Sequence, residues 1–302
     1  MSEELSGVLV VNKPTGMTSH DVVGRIRRLY HTRRVGHTGT LDPMAHGVLV
    51  ILIGRAAKAA EYLTVKTKQY RAIMRLGLTT DTEDVTGKTL TVSRDIPSSA
   101  CVCAAANGFV GDILQTPPMF SALKINGQKL CDLARRGIEV ERRARPVTVY
   151  ELHCEQQKEN DYTLDVTCSA GTYIRTLCAD IGARLGCGGV MASLCRTAVS
   201  TYTLDNAYTL EALEQMEEPA RAACLLPVES LFAESPAVCL SPFFERLSRG
   251  GCEIYQKKIG TAYEIGTRVR MCKENGHFYA LGEVREYENG SAIKSIKMFD
   301  IE

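Results

Sequence analysis

Gly36-His37-Thr38-Gly39-Thr40-Leu41-Asp42-Pro43-Met44-Ala45-His46-Gly47-Val48-Leu49-Val50-Ile51-Leu52-Ile53-Gly54 falls into two halves with opposite physical demands. Val48 to Ile53 is an unbroken apolar run bounded by glycines, and it reads as a buried strand. Ahead of it, two glycines and a proline impose a bent, non-repeating backbone on Gly36–Pro43. Asp42 is the only acid of that loop, and no other Asp or Glu occurs from Val22 to Pro43, an interval that holds Arg25, Arg27, Arg28, Arg33 and Arg34. An Asp-Pro pair alone signals only a turn. A lone carboxylate anchored to a core strand and flanked by arginines suggests chemistry on a polyanion.

Upstream, Leu5–Val11 reads as a strand and Asn12-Lys13-Pro14-Thr15-Gly16 as a turn. Thr18 or Ser19 then caps a helix with Val22, Val23, Ile26, Leu29 and Tyr30 at helical spacing and arginines over the rest of its surface. Downstream, the pattern predicts a short Ala-rich helix over Arg55–Leu63, a strand over Tyr70–Leu78, a polar turn at Thr80–Asp84 and a small helix over 98–108. Gln115-Thr116-Pro117-Pro118 breaks the chain, and the basic stretch Ser121–Arg145, with Arg142-Arg143-Ala144-Arg145, is expected to protrude as a thumb-like insertion spanning about 115–146. Val147–Cys154 and Tyr162–Cys168 pair plausibly as antiparallel strands. Thr172–Leu185 is an amphipathic helix with Ile174, Leu177, Cys178, Ile181 and Leu185 on one face.

Strands and helices mix without regular βαβ alternation, which predicts an α+β fold rather than a parallel sheet. Beyond the acidic stretch, a helix at Pro242–Ser248 and strands near Arg268–Cys272, Phe278–Val284 and Ile293–Phe299 predict a small β-barrel module. The expected division is 1–235 and 236–302.

At 302 residues the chain has room for two domains, and its 45% hydrophobic and 24% charged content is that of an ordinary globular protein. The longest apolar run is far too short to cross a bilayer, and Met1-Ser2-Glu3-Glu4 lacks the basic and apolar regions of a secretory leader, so a cytoplasmic location is expected. Twelve cysteines are sparse for this length; Cys101 and Cys103 form a lone C-x-C, and neither a C-x-x-C pair nor an H-E-x-x-H occurs. Reduced thiols, mostly in the core, and no metal site are expected. Net charge is only +1, but residues 1–60 hold eight Lys/Arg against four Asp/Glu, while Asp205–Glu234 holds seven acids against Arg221 alone. Basic charge therefore gathers near the Asp42 loop.

Two runs, Val11-Asn12-Lys13-Pro14-Thr15-Gly16-Met17-Thr18-Ser19 and Gly36–Pro43, are followed in order by Lys68-Gln69-Tyr70-Arg71, Gln115–Pro118 with Ser121-Ala122-Leu123-Lys124, Cys168-Ser169-Ala170-Gly171-Thr172-Tyr173-Ile174-Arg175 and Leu194-Cys195-Arg196-Thr197. Together they resemble the TruB family of pseudouridine synthases over about residues 5–205. The resemblance implies the pseudouridine synthase fold, a mixed and largely antiparallel central sheet with flanking helices, and a PUA-like β-barrel as the C-terminal RNA-binding module. It implies isomerisation of uridine 55 in the T-arm of tRNA, with no cofactor, no membrane and no obligate protein partner, by a monomer.

Each site residue has a plainer reading beside the implied one. Asp42 is implied as the nucleophile and Arg175 as the cation that keeps it ionised, though alone Arg175 reads as a helix-surface arginine. Tyr70 is implied to lie against the flipped-out base and act as general base; alone it is a strand-face aromatic. Tyr173 and Leu194 are implied to line the uridine pocket, Leu194 otherwise reading as core. His37 is implied to occupy the space vacated by the flipped base or to stack in the RNA, reading otherwise as a loop histidine satisfied by backbone, and Lys13 and Pro14 are implied to shape the wall of the site. Lys257, Lys258, Arg268 and Arg270 are expected to meet phosphates. Two other classes fit the same surface: a tRNA-folding chaperone, and the catalytic subunit of an RNA-guided complex.

Overall fold

The computed structural model describes residues 5–63, 67–121, 123–125 and 127–300. The Met1–Glu4 start and Ala122 of the Ser121–Lys124 motif, both read above, lie outside the described residues.

The chain opens with β1 (Gly7–Lys13), which pairs antiparallel with β3 (His46–Ile53). Val8–Val11 and Val48–Ile53 are apolar at every position for one reason: alternate side chains enter two different cores. Leu9, Val11, Leu49, Ile51 and Ile53 pack on Val22, Val23 and Ile26 of α1 (Ser19–Leu29), while Val8, Val10, Val48, Val50 and Leu52 pack on Ala56, Val199 and Tyr202. Thr18 rather than Ser19 caps α1, in a reciprocal box with Asp21. The expected turn begins later than its sequence suggests, since β1 carries on through Asn12 and Lys13. Val35–His37 (β2) adds to the other edge of β3. The Ala-rich segment forms a 3-10 helix, Gly54–Tyr62.

Then come β4 (Thr67–Leu76), the hairpin β5 (Leu78–Thr80) and β6 (Thr89–Val92), α2 (Ser99–Asn107) and β7 (Gly111–Gln115). The basic insertion holds a two-residue hairpin, β8 (Lys124–Ile125) and β9 (Gln128–Lys129), and α3 (Leu130–Arg135). It returns through β10 (Arg145–Lys158) to β11 (Asp161–Ser169), α4 (Ile174–Arg184), β12 (Gly189–Val199) and β13 (Tyr202–Thr203). Among the described residues these strands make a nine-stranded sheet in the order β1-β3-β12-β4-β11-β10-β7, with β2 and β13 attached to β3 and β12. Only the β3–β12 contact is parallel, so the sheet is mixed and largely antiparallel, as expected. That junction explains Gly47: its φ is +107°, and a Cβ there would lie 2.3 Å from the Arg196 carbonyl oxygen. α2 and α4 cover the far half of the sheet through Val102, Ala106, Leu177 and Ile181.

The acidic segment carries α5 (Leu210–Gln215) and α6 (Glu218–Ala223). A second sheet follows from β14 (Ala237–Leu240), α7 (Pro242–Arg249), β15 (Ile254–Tyr255), α8 (Gln256–Ile259), β16 (Arg268–Lys273), β17 (Phe278–Tyr287) and β18 (Gly290–Met298). Its order is β14-β16-β17-β18-β15, and β14 and β15 do not pair. The expected closed barrel is therefore corrected to an open, curled sheet. Its edge strands are very short, and α7 packs against both of them with Phe244 and Leu247 in the core, where a closing strand pair would have to lie.

The second sheet is firmly seated. Phe232, Phe278 and Phe299 pack with Ala59, Arg268 donates to the Tyr62 carbonyl at 2.6 Å, and Arg270 meets Glu229 at 2.6 Å. With Lys257 donating to the Asn289 carbonyl at 3.2 Å, three of the four cations expected to meet phosphates are engaged within the protein. All twelve cysteines are free thiols, but only Cys154, Cys168, Cys178, Cys187 and Cys272 are buried, fewer than their apolar contexts suggest. Among the described residues no helix is long and apolar enough to cross a membrane.

Candidate active site

The Asp42 loop has an irregular backbone, so its carbonyls need partners from outside, and four elements supply them. Ser19, at the start of α1, is buried and bonds both ends of Leu41: its Oγ accepts from the Leu41 N–H at 2.9 Å and donates to the Leu41 carbonyl at 3.2 Å. Lys13 at the end of β1 is fully buried, its Nζ donating to the carbonyls of Met17 (2.7 Å), Pro14 (2.8 Å) and Pro43 (3.5 Å). The Gly16 N–H also reaches the Pro43 carbonyl, at 2.8 Å. From β12, the buried Arg196 donates to Val48 (2.7 Å), Gly39 (3.1 Å) and Thr40 (3.3 Å) carbonyls. Asp42 is thereby held in place while its side chain remains 36% exposed.

That exposed face opens on a cavity of about 210 Å³ whose walls include Asp42, Lys68, Tyr70, Tyr173, Arg175 and Leu194. Five predicted residues meet there, brought together by three elements. Tyr70 stands on β4 directly opposite Arg196 of β12, and Leu194 pairs with Ala72 two residues further along. Tyr173 is the cap residue of α4, and Gln115 clamps it from both sides, accepting from the Tyr173 N–H at 2.7 Å and donating to its carbonyl at 3.0 Å. Arg175 follows in the first turn of α4.

Arg175 is buried, not a surface arginine, and every nitrogen of its guanidinium has a partner. Nε faces Asp42 Oδ2 at 3.1 Å. Nη1 reaches Asp84 Oδ2 at 3.4 Å and the Thr82 carbonyl at 3.1 Å, and Nη2 donates to the Phe120 carbonyl, at the root of the basic insertion, at 2.7 Å. Asp84, expected in an exposed polar turn, is instead buried, its other oxygen accepting from the Thr86 N–H at 2.9 Å and the Thr82 hydroxyl at 2.9 Å. Glu83, at φ +62°, gives the backbone twist that aims the Thr82 carbonyl and the Asp84 carboxylate at one guanidinium. Hydroxyls at two residues either side of an Asp are a turn signature that could have flagged this segment. For Arg196 the only signal was its place in the last quoted motif.

Burial pushes the Asp42 carboxyl up; Arg175 opposes that, Asp84 adds to it, and Lys13 opposes it. Burial likewise raises Tyr70, with the Arg196 guanidinium beside the phenol pulling the other way. Lys13 is pulled down to about 8 by burial, partly offset by Asp42. His37, Lys13 and Pro14 do not line the cavity. His37 stands on β2 with its Nδ1 buried and without a hydrogen-bond partner among the described residues, and burial lowers its basicity. Lys13 lies under the loop, bonded to the Pro14 and Pro43 carbonyls on either side of it. A larger cavity of about 330 Å³, between the two sheets, is lined by Arg268 but by none of the residues predicted for the uridine site. Among the described residues no group of three His, Cys, Asp or Glu is placed to hold a metal ion.

A carboxylate held at the wall of a cavity by a shared arginine, facing two tyrosines and a leucine, suits covalent chemistry on a flat, partly apolar ring. Comparison with known proteins gives the family. The model described as "TruB family pseudouridylate synthase (N terminal domain)" matches residues 27–174, and "tRNA pseudouridylate synthase B C-terminal domain" matches 175–233. A protein named tRNA pseudouridine synthase B from Alkaliphilus oremlandii is 43% identical over 97% of this chain and 98% of its own length. One of the same name from Escherichia coli K12 is 40% identical, over 93% of this chain and 92% of its own. Among solved structures, a chain from "Crystal Structure of a Cbf5-Nop10-Gar1 Complex" superposes with a TM-score of 0.74 at 26% identity, covering 97% of this chain and 85% of that one. Motif order, cavity and near full-length identity converge, and the chain belongs to the TruB family of pseudouridylate synthases.

Proposed function

We propose that this enzyme isomerises uridine to pseudouridine at position 55, in the T-arm of tRNA, with Asp42 as the nucleophile. The observation that carries the reading is the Asp42–Arg175 pair at 3.1 Å, on the wall of the cavity that also holds Tyr70, Tyr173 and Leu194. A uridine within a folded arm must leave its stack to reach such a recess. Its ring then lies against Tyr70, with the ribose toward Asp42. As the N1–C1′ bond breaks, its electron pair leaves with the uracil and the carboxylate supplies C1′ with the replacement. The detached ring turns, C5 bonds to C1′, and the carboxylate is released. The Tyr70 oxygen takes the proton from C5 as its own hydroxyl proton is passed on, N1 gains one, and the product is an isomer of the substrate.

Residues 1–235 carry the reaction in this proposal, and 236–302 form a PUA-like RNA-binding module, open rather than barrel-shaped. The insertion at about 115–146 closes over the RNA, and the Arg175 bond to the Phe120 carbonyl gives that closure a direct line to Asp42. The chain acts as a cytoplasmic monomer. A role as a guided subunit has weaker support, because the tRNA-named relatives are more similar than the chain from the Cbf5 complex. The test is purified protein with unmodified tRNA and no guide RNA, followed by carbodiimide mapping. Pseudouridine at position 55 is expected. Product at other positions, or only when a second RNA is supplied, rejects the reading.

A further inference from the structure

Among the described residues Lys68 is the one charged group of the cavity wall that the reaction above leaves unused. It precedes Tyr70 by two residues on β4, so both side chains leave the same face of the strand, and both line the cavity. Its Nζ lies against the Asp42 loop: a Cβ placed on Gly39 would be 3.4 Å from it and 3.8 Å from Arg196 Nη1. Two cations thus flank one point of the loop. Among the described residues Arg196 meets only neutral acceptors, three carbonyls and the Tyr70 hydroxyl, and Lys68 has no hydrogen bond or ion pair. The nearest catalytic carboxylate is already held by Arg175, which Asp84 shares. Burial pulls the Lys68 amine down to about 8, and Arg196 adds to the effect. Desolvated positive charge without a counter-ion is costly, and it is kept where a ligand brings the negative charge.

We infer that Lys68 is a further catalytic residue, whose ammonium receives the negative charge that develops on the uracil ring as it leaves C1′. The inference rests on the proposed reaction at Asp42. The electron pair of the N1–C1′ bond departs with the base and spreads over N1, O2 and O4. It returns to C1′ through C5, so the charge beside Lys68 exists only between cleavage and re-closure. A group that meets charge only at that stage lowers the barrier without tightening the ground state. A phosphodiester is the other anion available, but it is charged throughout and would show in affinity instead.

Lys68→Met and Lys68→Arg separate the two. Single-turnover rates at saturating enzyme and tRNA affinity by filter binding are measured for both. Total pseudouridine is scored by nucleoside analysis and its position by mapping, so product away from position 55 rejects the site assignment without touching the Lys68 comparison. The methionine variant should lose about a hundredfold in rate, the scale of removing one donor to a developing anion, with affinity within about threefold. The arginine variant should recover at least tenfold of that loss. A rate loss below tenfold in Lys68→Met, whatever its affinity, overturns the inference, as does an arginine variant as slow as the methionine one.

Discussion

Asp84→Asn isolates a part of the site that lies outside the cavity wall and still acts on Asp42, the proposed nucleophile. Asp84 Oδ2 stands 3.4 Å from Arg175 Nη1, both side chains being under a tenth exposed. At an effective dielectric of about 20 the gross attraction is about 5 kcal/mol. Most of it is offset by the desolvation that the neutral amide no longer suffers. The amide also presents either an N–H to a guanidinium that can only donate, or an oxygen that accepts more weakly. Arg175 keeps Asp42 and two carbonyls, so the loss falls short of stranding a buried charge, and about 1–3 kcal/mol is expected. Urea unfolding should report it as a lower midpoint with an unchanged slope.

The effect on Asp42 has the opposite sign from simple damage. Asp84 is among the groups that push the Asp42 carboxyl up, and Arg175 is the first that pulls it down. Neutralising Asp84 removes the one and leaves the other with a single acid to serve. Asp42 should therefore ionise at lower pH, moving the acid limb of kcat/KM downward. The carboxylate so held is a weaker nucleophile, and the plateau rate should fall about tenfold or more. An acid limb that stays in place or moves up would refute the view that the three groups share one charge balance.

Asp42→Asn should keep the fold, since Arg175 retains Asp84, and should form no pseudouridine under single-turnover conditions; turnover within a hundredfold of wild type, after excluding deamidation, counts against Asp42. Tyr70→Phe retains the ring that holds the base, so tRNA affinity should change by less than about tenfold, roughly 1.4 kcal/mol, while isomerisation stalls; full activity would leave Tyr70 a packing role only. Lys68→Met should be more stable than wild type near neutral pH. Lys68 ionises at lower pH when folded than its ordinary 10.5, so its charged form costs stability below about 8 and the cost disappears as pH rises from about 8 to 10.5. The variant's melting advantage should shrink over that window, and an advantage that grows instead means the ammonium has a partner.

The run Val48–Ile53 could be read as a buried strand because both its faces meet apolar partners, and the start of α1 because its cap carries its own sign, Thr18 with Asp21. β12 could not be read so easily. It joins the two halves of the sheet, yet it carries a buried arginine and two register shifts, so neither alternation nor an apolar run marks it. Asp84 was hidden for a related reason: Thr80–Asp84 has the composition of a solvated turn, and only the arrival of Arg175 from α4 makes it interior. The barrel was over-read because three good strands imply closure, whereas β14 and β15 are too short to complete it.

Polar residues of the motifs divide into those that face the cavity and those that hold the chain around it. Lys13, Ser19, Gln115 and Arg196 donate chiefly to backbone carbonyls of the segments that bear Asp42 and Tyr173. A catalytic loop that were helical or extended would satisfy its own carbonyls. This one bends through Gly39 and Pro43, leaving acceptors that a buried lysine or arginine can meet several at a time. Residues such as Leu or Met in their place would leave those carbonyls unpaired and the loop free to choose among conformations. A nucleophile must lie within a fraction of an ångström of its line of attack. The buried cations are therefore explained by the irregular loop, and the irregular loop by the need to present one carboxylate, and no other acid of its own, to the cavity.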